Sequence, residues 1–342
     1  MLEIELSPVE VEPIRELVET ISTYHGSVED PDFLDQAPVY AHELPRALRE
    51  SLTSFRLGEV SGVCRISGFP VDDEKIGPSP DGWDGRKVPS PTFHEEVYFF
   101  LCASLVGDPV GWATQQGGYV MHELAPTRAH ETEQLGSGSA TVLTWHTEEA
   151  FHPLRADYIM LMCLRNPDEV ETTFASIEDL KFDETTRQTL SRPLFQILPD
   201  NSHRRAYQAR LRAGLVAPET LINRSHEKIV RMCDDPDLVP VLFGDPDSPY
   251  LRVDPYFMQV PAESEGRDAL GHLIEQIDKA IRGVALRPGD IIMLDNYRVV
   301  HGRRAFKARY DGSDRWLKRL NVVRDLRKSR GSRVNAAGRV IF

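Results

Sequence analysis

Residues 145–152 read WHTEEAFH, with two histidines and two glutamates in eight positions. Such side chains bind a divalent metal, exchange protons, or sit as plain polar groups at a strand end. The flanking TVLTWHTE is rich in β-branched and aromatic residues, so it reads as a strand whose side chains alternate between faces. His146 and Glu148 then share one face and reach one cation, while Thr147 and Glu149 point the other way. His152 lies beyond the strand beside Pro153. We read Glu149 as a surface or supporting acid and His152 as a packed loop histidine.

Other metal patterns fail on spacing. A zinc protease site needs H-E-x-x-H, and the His-Glu pairs at 42, 94, 122, 130 and 226 lack a histidine four positions on. A carboxylate-bridged di-iron bundle needs E-x-x-H twice, and only Glu149–His152 fits. A partner for WHTEEAFH lies far along the chain, in DIIMLDNYRVVHGRRAF (290–306). There an apolar strand ends at Asp295-Asn296-Tyr297, turns, and resumes through Val299 to Gly302. His301 would complete two histidines and one carboxylate, the facial set that holds Fe(II) with three coordination positions open. Arg315 follows fourteen residues later, and counting along RWLKRLN directs it into the same barrel.

The elements that must position these residues divide the chain unevenly. The 342 residues are 41% hydrophobic and 27% charged, enough for one large domain or two ordinary ones. We read one domain, 1–342: a mainly helical N-terminal layer over 1–110, then a β core over 111–342 with a helical insertion at about 200–240. Strands are expected in 62–71, 139–148, 157–166, 249–258, 290–302 and 315–326. Helices are expected in 11–25, 92–107, 205–234 and 264–283, the last closed by Gly283, and 72–92 reads as a long loop. The net charge of −13 argues against nucleic acid or an anionic membrane as partner. Four scattered cysteines without a C-x-x-C pair suit reduced thiols. The acidic start has no signal-peptide pattern, and the apolar run 97–107 is too short for a bilayer. A cytoplasmic enzyme acting on a small molecule is the expectation; the oligomeric state stays open.

H-x-E, NYRVVHGR and the arginine fourteen residues on together resemble the Fe(II)/2-oxoglutarate-dependent oxygenases. More narrowly, the chain resembles the clavaminate synthase-like branch that hydroxylates free amino acids, including arginine, asparagine and lysine. The likeness runs through GWATQQGGYVMHEL (111–124), WHTEEAFHPLRADYIMLMCLRNPD (145–168), PYLRVDPYF (249–257) and HGRRAFKARYDGSDRWLKRLNVVRDLRKSR (301–330). It implies an α+β fold: a double-stranded β-helix (jelly roll) core with flanking helices and a helical lid insertion. It implies Fe(II), 2-oxoglutarate as cosubstrate, and O2. By the same resemblance His146, Glu148 and His301 hold the iron, and Arg315 with Thr172 binds the distal carboxylate of 2-oxoglutarate. Arg319 would take the substrate α-carboxylate; Gln115 and the second oxygen of Glu148 would meet its amino-acid head group.

The substrate side chain falls to Asp254 in LRVDPYF. Arginine-hydroxylating relatives carry a second aspartate two positions on, where this chain has Tyr256. One carboxylate and a phenol suit a point-charge ammonium at least as well as a planar guanidinium. The expectation is therefore hydroxylation at C3 or C4 of a free basic L-amino acid, lysine favoured over arginine. Arginine, citrulline, an enduracididine-like residue or asparagine are the alternative substrates, and desaturation or ring closure the alternative outcome. A non-catalytic cupin-like binding protein predicts a lost ligand or a lost Arg315. A zinc hydrolase leaves Arg315 and Arg319 without a purpose.

Overall fold

A computed structural model of the chain describes residues 1–83, 86–203, 211–259 and 264–342. The run YIMLMCLR forms the strand Tyr158–Arg165, buried at every position, as an apolar segment with no polar alternation requires. It lies in the middle of a large sheet. The strand order is Leu2–Glu5, Val63–Ser67, Ile291–Asp295, Tyr158–Arg165, Trp316–Val323, Asp108–Trp112 and Val340–Ile341, with Met121–Leu124 also paired to Trp316–Val323. One face of the sheet, carrying Cys64, Met160, Met162, Met293 and Leu320, packs under the helices Pro8–Ser22, Pro31–Ala41, Arg46–Gly58 and Phe93–Ser104.

The other face, with Ile159, Leu161, Cys163 and Leu317, meets Phe174, Val284 and Val299 of a second sheet. That sheet runs Arg282–Ala285, Glu171–Ser176, Val299–Arg303, Leu143–His146. Two sheets packed over an apolar layer make this a jelly-roll type of architecture. Among the described residues no helix is long and apolar enough to cross a membrane.

Several elements differ from the sequence reading. The first 110 residues are mainly helical, and the strand expected in 62–71 forms as Val63–Ser67, but they also supply Leu2–Glu5 and the start of Asp108–Trp112 to the large sheet. The stretch 249–258 is not one strand. It pairs over Pro249–Leu251 and again from Met258, opposite Ile197, with a break between them because Asp254 accepts the amides of Tyr256 and Phe257 and turns the chain there. Gly283 does not cap the helix Ser264–Ala280 but sits in the next strand, where the Glu171 carboxylate crosses over it and a Cβ would lie 2.4 Å from that oxygen. Residues 72–92 include a short helix, Asp73–Ile76, capped by the Asp72 side chain. Of the expected helix 205–234, residues 204–210 lie outside the described residues; a helix runs over Glu219–Asp234.

Trp316–Val323 does most to position the site. Its alternation sends Lys318 and Leu320 to the helical side and Leu317 and Arg319 to the inter-sheet side, with Arg315 on the latter just before the strand. Lys318 is only 1% exposed. It donates to Glu96 at 2.8 Å and to Glu123, while Trp316 Nε1 donates to Glu123 at 2.7 Å and the Ser90 and Thr92 hydroxyls donate to Glu96. Removing one member of a buried ionic group strands the others. We expect Lys318→Ala to lower the unfolding free energy by about 3–5 kcal/mol. Denaturant unfolding at neutral pH checks this; a loss below about 1 kcal/mol would show that the two carboxylates tolerate the missing cation.

Candidate active site

The register of two strands brings the distant histidines together. Val299–Arg303 and Leu143–His146 run antiparallel with His301 directly opposite His146. Cross-strand partners share a face, so both rings enter the space between the sheets, with centroids 4.7 Å apart. Glu148 follows two residues after His146 and places its Oε2 3.6 Å from His146 Nε2 and 3.4 Å from His301 Nε2. Adjacent ligands on one octahedral ion lie about 3 Å apart, so this spacing matches three donors poised around a single cation.

The surroundings prepare the donors for that role. His146 Nδ1 lies 2.8 Å from the Thr144 carbonyl, which can only accept, so Nδ1 carries the proton and Nε2 offers its lone pair. Burial opposes the charge on Glu148, but Arg319 and the two imidazoles hold its carboxyl well below the usual range. Burial likewise opposes a proton on His146, but the Glu148 and Asp254 carboxylates and the Thr144 carbonyl raise it to about 9. A site that attracts a proton this strongly attracts a divalent cation in its place. Two imidazoles and one carboxylate, buried and facing a cavity, fit Fe(II) by donor chemistry.

Asn296 is the residue that sequence reasoning missed here. Its Oδ1 accepts the Glu148 amide at 2.7 Å, and its Nδ2 donates to the carbonyls of Glu148 and Ala156 at 3.0 and 2.9 Å. This fully buried amide therefore stitches the Glu148 backbone to the turn before the His301 strand. An asparagine between two strands looks like an ordinary turn former, so nothing local marked it.

Beside the triad lie two buried arginines. Arg315 Nη2 donates to the Thr172 hydroxyl at 3.1 Å, and no carboxylate pairs with it among the described residues. Arg303 stands two positions after His301 and lines the same cavity; its Nη atoms donate to the carbonyls of Ser139, Thr141 and Arg304. Burial weakens the hold of both on their protons, and the charge of Arg315 adds to that effect on Arg303. An open cavity end with two desolvated guanidinium groups is a place for an anion.

Across the triad, Arg319 gathers the third group. It donates to Glu148 Oε1 at 2.5 Å and to Gln115 Oε1 at 2.8 Å, and it lies 2.6 Å from His122 Nδ1. The other His122 nitrogen lies 3.0 Å from the Tyr119 carbonyl. That contact puts the proton on Nε2, and burial holds the ring neutral, so Nδ1 accepts from Arg319. Glu149 does not sit on the opposite face as expected. The strand ends at His146, and Glu149 takes a left-handed backbone (φ 51°) that turns its buried carboxylate toward Gln115. It is not a surface acid. His152 packs edge-on against Trp112 and Phe151, as a loop histidine.

A cavity of about 140 Å³ joins these groups. Its lining includes the triad, Gln115, Thr172, Arg315, Arg319, Asp254 and Tyr256. Asp254 is buried and its carboxyl is pushed up to about 6, by burial first and also by the nearby charge of Asp200. Tyr256 reaches the rim but is 58% exposed. Asp200 also lines the cavity, from a segment the sequence reading assigned to no site.

The Asn296 clamp gives a direct test. Groups that orient metal ligands typically matter about 10–100-fold in metal affinity. We expect Asn296→Ala to weaken Fe(II) or Co(II) binding by about that factor, in a metal titration of folded protein. Unchanged affinity would mean that Glu148 is held without it.

Comparison with known proteins agrees with this geometry. Residues 55–321 match the family described as taurine catabolism dioxygenase TauD, TfdA family. The chain is 48% identical to an enduracididine beta-hydroxylase of Streptomyces hygroscopicus over the whole of both chains. It is 44% identical to an L-ornithine/L-arginine 3-hydroxylase of Catenulispora acidiphila, over 93% of each. Named lysine hydroxylases match at 26–28%. Among solved structures, the non-heme iron oxygenase OrfP in complex with Fe, succinate and (3S)-hydroxy-L-Arg superposes with a TM-score of 0.93, at 40% identity over all of both chains. The chain thus belongs to the TauD/TfdA dioxygenase family, as an Fe(II)- and 2-oxoglutarate-dependent oxygenase of the branch that hydroxylates free amino acids.

Proposed function

We propose that this enzyme hydroxylates C3 or C4 of a free amino acid with a guanidine-type side chain, arginine or a cyclic relative of it. The expectation of lysine over arginine is set aside. Relatives named for enduracididine and for ornithine/arginine share 44–48% identity with this chain, against 26–28% for those named for lysine alone. The observation that carries the proposal is that Asp200 and Asp254 line one cavity, near enough for the charge of Asp200 to raise the Asp254 carboxyl. The second carboxylate sought two positions after Asp254 comes instead from a distant segment. Two carboxylates suit the several donors of a guanidinium better than a single ammonium point charge.

The other roles follow the site chemistry. His146, Glu148 and His301 hold Fe(II). The bound iron supplies the redox chemistry that consumes O2 and 2-oxoglutarate, releases succinate and CO2, and leaves one oxygen atom on the amino acid. Arg315 and Thr172 bind the distal carboxylate of 2-oxoglutarate, a bidentate contact for which lysine is a poor substitute. Arg319 and Gln115 take the amino-acid head group, with Glu148 Oε1 as an acceptor for its α-ammonium. The protein thereby fixes the substrate at both ends and determines which carbon faces the metal.

Turnover of the iron-loaded enzyme with 2-oxoglutarate and arginine, enduracididine, ornithine or lysine tests the substrate class. A guanidine-bearing substrate is expected to gain one oxygen atom with matching succinate, at a kcat/KM at least about tenfold above that for lysine. Lysine turning over best would return the reading to the sequence expectation. Asp254→Asn should lower kcat/KM for the guanidine substrate about ten- to hundredfold, the worth of a hydrogen bond to a charged group, with the KM for 2-oxoglutarate unchanged. An equal loss in both constants would place Asp254 in the iron site rather than the substrate pocket.

A further inference from the structure

Glu149, Asp200 and His203 form a second group of potential metal ligands, their donor atoms within 4.8 Å of one another. The details disfavour a metal. Glu149 Oε2 lies 2.6 Å from His203 Nε2, the distance of a charge-assisted hydrogen bond and shorter than the roughly 3 Å between neighbouring ligands on one ion. The N–H is turned too far from Oε2 to make a hydrogen bond, so the contact is a close ion pair between buried groups. Its other nitrogen, Nδ1, lies 2.7 Å from the Thr114 hydroxyl, and the edges of Phe151 and Trp112 close around it. Both side chains are buried.

Glu149 and Ser202 also fix a third side chain. Gln115 Nε2 spends its two hydrogens on Glu149 Oε1 at 3.1 Å and on the Ser202 hydroxyl at 2.9 Å. Its Oε1 accepts from Arg319. The reverse amide orientation would aim NH2 at a guanidinium and an oxygen at a carboxylate, so only one orientation satisfies all partners. The same turn carries Asp200, whose Oδ1 accepts the Ser202 amide at 2.7 Å.

We infer that Glu149 and His203 are a positioning pair that sets the length of substrate the pocket accepts. They pin the turn bearing Asp200 to the wall bearing Gln115 and Arg319, so the head-group end and the side-chain end of the pocket stand at a fixed separation. The inference rests on the proposed guanidine-type substrate for its ruler, though not for its mechanics. A pinned pocket discriminates against a substrate one methylene longer or shorter, a difference worth about 10–200-fold. A loosened turn lets Asp200 follow the side chain and forfeits that discrimination.

His203→Phe keeps the ring packing and removes the ion pair with Glu149, and Glu149→Ala removes it from the other side. Glu149→Gln is the conservative control. Its carbonyl can serve Gln115 and its NH2 can donate to His203 Nε2, with the ring proton moved to Nδ1 and given to Thr114. In substrate-free protein, hydrogen exchange at the Ser202 and His203 amides is expected to quicken at least about tenfold in His203→Phe and Glu149→Ala, and to stay slow in Glu149→Gln. In turnover, the ratio of kcat/KM for arginine to that for homoarginine should fall at least about fivefold in the first two variants and hold in the third, with the KM for 2-oxoglutarate unmoved. Exchange as slow as wild type in His203→Phe overturns the inference, and so does fast exchange with an unchanged length ratio. Should wild type prefer an amino acid without a guanidine group, the substrate reading falls. The length ratio taken on that amino acid and its homologue, together with exchange, still decides the pair.

Discussion

A single buried carboxylate organises this enzyme. Glu148 lies between two imidazoles and the guanidinium of Arg319, with one oxygen toward each side. An anion so far from water is tolerable only because cations and donors surround it. Its backbone is held independently, by Asn296. Three strands converge on this point: the end of Leu143–His146 delivers the glutamate, Val299–Arg303 the second histidine, and Trp316–Val323 the arginine. On the proposed assignment, the metal end and the amino-acid end of the site are therefore not separate constructions. They share the two oxygens of one side chain.

The opposite problem holds at Arg315 and Arg303. Two guanidinium groups are buried near one another, and among the described residues neither has a carboxylate partner. Hydrogen bonds to Thr172 and to backbone carbonyls serve their donors but do not neutralise their charge. Such an arrangement is uncomfortable when empty and favourable when an anionic group enters. On the proposed assignment of Arg315 to the distal carboxylate of 2-oxoglutarate, that carboxylate would offset part of the cost of keeping these cations dry.

How much of this could be read from the sequence depended on whether the chemistry was local. His146 and His301 lay on recognisable strands that do converge, while Glu148, just past its strand's end, and Arg315, just before its own, reach the same site. Arg319 shares its face with Leu317 by the same count. Glu149 was misplaced because alternation was carried past the strand's last residue, into a left-handed turn that no periodicity describes. Asn296 and His122 were missed for a different reason. Each acts by completing the hydrogen bonds of a residue far away in sequence, and such a partner leaves no spacing signature. Leu2–Glu5 and Val340–Ile341 are short strands at the two edges of the large sheet, too brief to show a pattern.

The substrate reading shows the same limit at the scale of specificity. Comparing Asp254 and Tyr256 as an adjacent pair assumed that the side-chain pocket is written in one strand-like stretch. The chain turns at Asp254 instead, which leaves Tyr256 at the rim and opens that side of the cavity to another segment. Asp200 lines the same cavity, fifty-four residues earlier in sequence and bonded through its own turn to Gln115 and thence to Arg319. A charge missing from the expected position was thus not missing from the pocket. Substrate choice in such a fold depends on which segments are pinned across the cavity mouth, and side-chain identity at one matched position constrains it only when the backbone there follows the same path.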